Sequence, residues 1–143
     1  MERVLAADVT SLTPGALVEL TRLDCFAPHS SAAHKASAMF ALENELLGYG
    51  IDDAYNHTSG SPNVPANEFV QVEHFAPGDW VLAYVAASAT AIFEGDYLES
   101  AGDGSLRLVG TDYQEAATAI AQAMESLDNS AGSAIARIKV AIC

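Results

Sequence analysis

"LESAGDGSLRLVG", residues Leu98 to Gly110, decides how this chain is read. Glu99 and Asp103 lie within it, Asp96 lies just before it, and glycines flank Asp103. Such a stretch is either an acidic cation loop or a tight turn between strands. A calcium loop of the helix-loop-helix type needs oxygen ligands at alternate positions and a distal Glu. After Asp103 come Gly104, Ser105 and Leu106, and the next acid is Asp112, so the spacing fails. A three-residue loop, Gly102-Asp103-Gly104, fits better. It sets Leu98 opposite Leu108, Tyr97 opposite Val109, and Glu99 opposite Arg107 on the outer face. Gly104 then takes the left-handed position that such loops require. A two-residue Asp103-Gly104 loop would pair Glu99 with Leu108, a poorer match. The stretch therefore predicts a hairpin.

The pattern around it is also β. "FVQVEHF" (69–75) alternates Phe69, Gln71, Glu73 and Phe75 against Val70, Val72 and His74. "APGD" is a turn, and "WVLAYVA" (80–86) has the apolar run of a central strand. "AIFEGDYLES" leads into the hairpin, and "ARIKVAIC" (136–143) closes the chain with Ile138, Val140 and Ile142 on one face. "ALVELTRLD" (16–24) reads as a first strand, with neither face cleanly apolar. The expected fold is all-β: a small jelly-roll, β-sandwich or barrel-like domain. No βαβ alternation appears, which argues against a doubly wound sheet.

Two segments stay open between helix and strand. In "SSAAHKASAMFALENELLG", Met39, Leu42 and Leu46 fit one short amphipathic helix closed by Gly48, or an extended ribbon. "YQEAATAIAQAMESL" (113–127) has helix-favouring composition but alternates as a strand would. "NHTSGSPNVPAN" (56–67) is a loop by composition. Residues 1–15 read as an extended N-terminal arm ending in the Pro14-Gly15 turn. Residues 16–143 read as one β domain, with 24–67 a loop-rich excursion.

With 143 residues and 14.9 kDa, the chain can bury a core without disulfides or metals. Nineteen acidic residues against six basic ones give a net charge of -13. That argues against nucleic-acid binding, which needs clustered Lys and Arg. No apolar run is long enough to span a bilayer. "MERVLAADVT" has no apolar leader core, so secretion is not expected. Cys25 and Cys143 make no disulfide framework and are expected as free thiols.

Chemistry-bearing motifs are sparse. There is no G-x-S-x-G, HExxH or GxxxxGK[ST] sequence. Cys25 has no local signature of a nucleophile, and the short acidic runs Glu43–Glu45 and Asp52-Asp53 read as solvated surface. His29 and His34 are five apart, not the four of a helical metal pair. Trp80, Tyr84, Phe69, Phe75 and Phe93 fall at strand positions, where core packing explains most of them and an interface one or two. No catalytic, cofactor or metal residue is assigned. The rival reading is a cupin-like barrel holding a metal with His29, His34, His57 or His74 and Glu73.

Four segments in order carry a resemblance: "ALENELLGYGIDDAY", "VEHFAPGDWVLAYVA", "IFEGDYLESAGDGSLR" and "AIAQAMESLDNSAGSAIARIKVAIC". The most specific element is G-D-x-L-E-S-x-G-D-G-x-L-R at Gly95 to Arg107. Over residues 40–143 the chain resembles the capsid decoration, or cement, proteins of tailed bacteriophages. The resemblance implies a jelly-roll or barrel-like, homo-oligomeric (dimeric or trimeric) virion protein. It would bind the major capsid protein on the outside of the shell after assembly in the bacterial host cytoplasm, without enzymatic activity or cofactor. It also implies a strand for the A-x-A-x-A-M-E segment. Some relatives of this kind carry a recombinase-like label, which the missing phosphate loop argues against here. The arm, with Arg3, Val4, Leu5, Val9 and Leu12, is the expected capsid or subunit contact, through strand addition. Nucleic acid and membrane are not expected partners.

Overall fold

A computed structural model describes residues 1–6, 9, 11–44, 50–52, 54–56, 69–87, 90–110, 118–132 and 136–143. Its strands are β1 (Glu2–Val4), β2 (Ser11–Leu12), β3 (Val18–Leu20), β4 (Phe26–Pro28), β5 (Met39–Ala41) and β6 (Tyr55–Asn56). Then come β7 (Phe69–His74), β8 (Trp80–Val85), β9 (Tyr97–Ser100), β10 (Leu106–Leu108), β11 (Ala121–Ala123) and β12 (Ala136–Ile142). The fold is all-β, and its larger unit is a closed five-stranded barrel in the order β10-β8-β12-β11-β9.

The hairpin forms in the expected register. Leu108 pairs with Leu98, Arg107 with Glu99 and Leu106 with Ser100. Ala101 N–H donates to Ser105 O, which closes the three-residue loop, and Gly104 has φ +85°. Gly104 also lets the loop dock. A Cβ there would lie 3.0 Å from Pro28 Cβ, and Leu17 N–H donates to Gly104 O at 2.7 Å. One expectation needs correction: Glu99 does not lie on a solvated outer face but is buried. Register pairs residues across a hairpin; it does not say what covers the face they share.

The barrel interior is filled by Val81, Ala83 and Val85 of β8, Ile138, Val140 and Ile142 of β12, Ala121 and Ala123 of β11, and Leu98 and Leu106 of the hairpin. Small and β-branched residues suit a five-stranded barrel, whose lumen is narrow. Ala121–Ala123 is thus a strand. Met39–Ala41 is a strand too, so the ribbon alternative holds there; residues 45–49, 57–68 and 111–117 lie outside the described residues.

A second ring of strands packs beside the barrel. β1 pairs with β7, β7 with β5, and β3 with β4. The bridge Leu17↔Phe40 joins the start of β3 to β5, and Leu5↔Phe26 joins the end of β1 to β4, so the strands run round a second core. Leu5, Leu12, Val18, Phe26, Tyr55, Val70 and Val72 fill it. Tyr55 hydroxyl donates to Leu42 O at 2.6 Å inside this core. The stretch read as a loop-rich excursion, 24–67, thus supplies β4 and β5 to this ring, and β6, which pairs with β2, adds Tyr55 to its core.

Gly15 forms the seam between the rings. Its N–H donates to Ala41 O of β5, and its carbonyl accepts from Tyr84 N–H of β8. With φ +94° and a would-be Cβ 2.8 Å from Leu82 O, this position admits only glycine without strain.

Candidate interaction surface and buried polar cluster

Among the described arm residues, Glu2–Val4, Leu5 and Ser11–Leu12 are extended and paired. In β1, Arg3 faces Val70 and Val4 faces Phe69. The Met1 ammonium donates to Val72 O at 2.8 Å. Leu5 and Leu12 are buried in the second core, and Val9 packs against it. Of the five residues, Arg3 reaches outward, and its Nε donates to Asp24 Oδ1 at 2.9 Å. The apolar side chains of Leu5 and Leu12 are therefore committed within the chain.

A polar cluster lies where the hairpin meets β4. His29 Nδ1 and Ser100 Oγ are 2.7 Å apart, and both residues are buried. Ser100 Oγ accepts Gly102 N–H at 3.1 Å. His29 Nε2 lies 4.0 Å from Glu19 Oε2, and Ser30 Oγ donates to Glu19 Oε1. Serine, histidine and glutamate in sequence are the ingredients of nucleophilic catalysis. Here Ser100 is wholly sealed from solvent, so its hydroxyl meets no substrate. The cluster instead fastens the hairpin to the segment just after β4, aided by Ala33 N–H donating to Ser100 O. No motif pointed to it, because the partners are 71 residues apart.

The other candidates stay separate. His34 Nδ1 bonds Ala32 O on the surface, His74 and Glu73 are exposed on β7, and His57 lies outside the described residues. Among the described residues, no three His, Cys, Asp or Glu side chains gather as metal ligands. Cys25 Sγ donates to Leu23 O, and Asp52 takes Arg137 Nη1 at 2.7 Å. Several carboxylates fasten turns. Asp79 accepts Ala76 N–H, Asp96 accepts Phe93 N–H, and Asp103 accepts both the N–H and the hydroxyl of Ser105. A cleft of about 250 Å³ at the seam is lined by Ser11, Thr13, Tyr84, Asp103, Gly104 and Ser105, among others.

The outer face of the barrel is different in kind. Alternation turns Val81, Ala83 and Val85 inward, so Trp80, Leu82 and Tyr84 point out. Pairing then sets Trp80, Ala141, Gln122 and Tyr97 in one row across β8, β12, β11 and β9. Leu82 and Lys139 begin the next row, and Met124 N–H donates to Lys139 O beside them. Trp80 is 59% exposed, Tyr97 43%, and Phe93, in the turn before β9, 64%. The Lys139 ammonium sits 5.5 Å from the Trp80 ring centre, and the Arg137 guanidinium 4.4 Å from that of Tyr84. Trp80, Phe69 and Phe93 are therefore not core residues, contrary to the expectation that packing explains most strand aromatics. The apolar run of β8 has two apolar faces, and barrel closure covers only one.

No protein-family model matches the chain, and no curated protein matches it either. Among the described residues, no helix is long and apolar enough to cross a membrane.

Proposed function

We propose that this chain is a capsid decoration protein of a tailed bacteriophage. It binds the outside of the major capsid shell as a homo-oligomer and stabilises the head, without catalysis. The reading starts from the resemblance carried by Gly95 to Arg107 and its flanking segments. The observation that carries it furthest is the outward aromatic face around Trp80, on a barrel whose serine–histidine cluster is sealed. Large apolar side chains exposed on one outer strand face, as Trp80 and Leu82 are, suit an interaction surface. Decoration needs such a surface rather than a reaction centre, and repetition over a symmetric lattice multiplies weak contacts. The net charge of -13 keeps the protein from competing for packaged DNA.

The test is to mix purified protein with undecorated shells of the phage whose genome carries it, and to sediment the shells. Saturable co-sedimentation at a fixed ratio to the capsid subunit, with matching density outside the shell by electron microscopy, is expected. Absence of the protein from intact virions of that phage would sink the reading.

A further inference from the structure

We propose that the cleft at the seam between the two rings binds one neutral sugar ring, a pyranose unit, through Asp103 and the hydroxyls of Ser11, Thr13 and Tyr84.

The cleft is built where four segments meet. Ser11 and Thr13 come from β2 and the turn after it, Pro28 from the end of β4, Tyr84 from β8, and Asp103 and Ser105 from the hairpin loop. Ligand pockets form preferentially where packed units adjoin. The volume of about 250 Å³ lies below the range of pockets for drug-sized ligands, so it suits a single small ring. The walls are set before any ligand arrives. Gly104 N–H donates to His29 O at 3.3 Å, and Ala16 N–H donates to Thr13 O at 3.1 Å. The Arg137 guanidinium lies over the Tyr84 ring and holds it. A site fixed in advance loses little ordering entropy on binding.

The free polar groups indicate what binds. Asp103 Oδ1 is taken by the N–H and the hydroxyl of Ser105, whereas Oδ2 has no partner among the described residues. The hydroxyls of Ser11, Thr13 and Tyr84 have none among them either. The cleft thus offers one carboxylate oxygen that only accepts and three hydroxyls that both donate and accept.

Other ligand classes leave these groups unmatched. The nearby cation is committed: Arg137 gives Nε to Pro14 O, Nη1 to Asp52 and Nη2 to Ile51 O. With a net charge of -13, an anionic ligand meets no compensating charge there. A hard metal ion needs several oxygen ligands, and among the described residues no three His, Cys, Asp or Glu side chains gather. A small ammonium would gain a water-screened pair with the exposed Asp103 and, as a pure donor, would accept nothing from the three hydroxyls. A sugar matches every group. One of its hydroxyls donates to Asp103 Oδ2 in a charge-assisted bond, and others exchange hydrogen bonds with the protein hydroxyls. Its C–H surface meets the apolar lining of Leu12, Ala16 and Pro28.

The test is an amide NMR titration of the full-length, isotope-labelled chain. The probes are the methyl glycosides of glucose, galactose, mannose and N-acetylglucosamine, up to about 100 mM, a range that covers millimolar affinity. At least one glycoside is expected to give saturable shifts at Thr13, Gly104 and Ser105. Methylammonium chloride and sodium phosphate should give none there. Asp103→Asn keeps an acceptor for Ser105 but removes the carboxylate charge, and should weaken binding roughly tenfold or more. Tyr84→Phe keeps the ring beneath Arg137 and should weaken binding roughly threefold or more. Wild-type shifts away from the cleft in both variants would place the loss at the site rather than in the fold. No saturable shift with any of the four glycosides, saturable shifts with methylammonium instead, or unchanged affinity in both variants would each overturn the proposal. A trisaccharide ending in the bound sugar separates the sources: tighter binding than the methyl glycoside supports the end of a glycan chain, and equal binding supports a free sugar. No shell enters this experiment, so its outcome is independent of the decoration reading.

Discussion

Arg107 Nε donates to Glu99 Oε1 at 3.1 Å across the β9–β10 hairpin, with the carboxylate side chain 6% exposed and the guanidinium 44%. The pair is asymmetric: one charge is buried, and its partner stands at the water edge. Removing the guanidinium leaves a buried carboxylate with less compensation, a loss that water at the edge offsets in part. Arg107→Ala is expected to cost about 1–3 kcal/mol in urea unfolding. Adding Glu99→Gln should recover part of that, because the group left behind is neutral. An Arg107→Ala protein as stable as wild type would show that water alone satisfies Glu99.

The seam makes a sharper demand. At Gly15 an alanine would combine a left-handed backbone with a Cβ 2.8 Å from Leu82 O. Gly15→Ala is expected to destabilise by about 2–4 kcal/mol, as strain and steric overlap add. Thermal melting would report it, and the hydrogen-exchange protection of Tyr84 N–H, which bonds Gly15 O, should fall most. Unchanged protection there would count against the seam as described.

The N-terminal stretch reads from sequence as an arm, and such an arm could be removed without harm to the fold. Its packing leads to the opposite expectation. Leu5→Ala should cost about 2–5 kcal/mol through the cavity left in the second core. Deletion of residues 1–14 should lower the melting temperature sharply, since it also removes β1 and Leu12. A truncated protein that melts where the full chain does would refute this.

The buried hydrogen bond between His29 and Ser100 fastens the hairpin to the residue that follows β4. A double-mutant cycle of His29→Ala and Ser100→Ala should give a coupling of about 1 kcal/mol. Additive losses would mean that the two side chains do not act on each other.

Asp128 offers a test by titration. Its carboxylate accepts the hydroxyl and N–H of Ser130, which holds its pKa below the ordinary value. A carboxylate depressed in the folded state contributes stability at pH above its unfolded value, and loses it as pH falls through the folded value. Ser130→Ala should therefore raise the Asp128 midpoint in an NMR titration and reduce that acid-side dependence, since the backbone N–H bond remains. An unmoved midpoint would show that another group sets it.

The all-β class and the hairpin from Leu98 to Leu108 are legible in the residues alone, because register is local: a turn type and a few cross-strand pairs fix it. Local pattern leaves Met39–Ala41 open, since three residues of strand carry too little periodicity to outweigh helix-favouring neighbours. Which surface is covered depends on long-range packing. Barrel closure buried Val81, Ala83 and Val85 and left Trp80 and Leu82 outside, though both faces of that strand are apolar. Packing left Glu99 buried beside Arg107, and docking of the hairpin sealed Ser100 beside His29. The second ring claimed Leu5 and Leu12 from a stretch that looks like a free arm. Burial depends on residues far away in the chain, and no local pattern contains them.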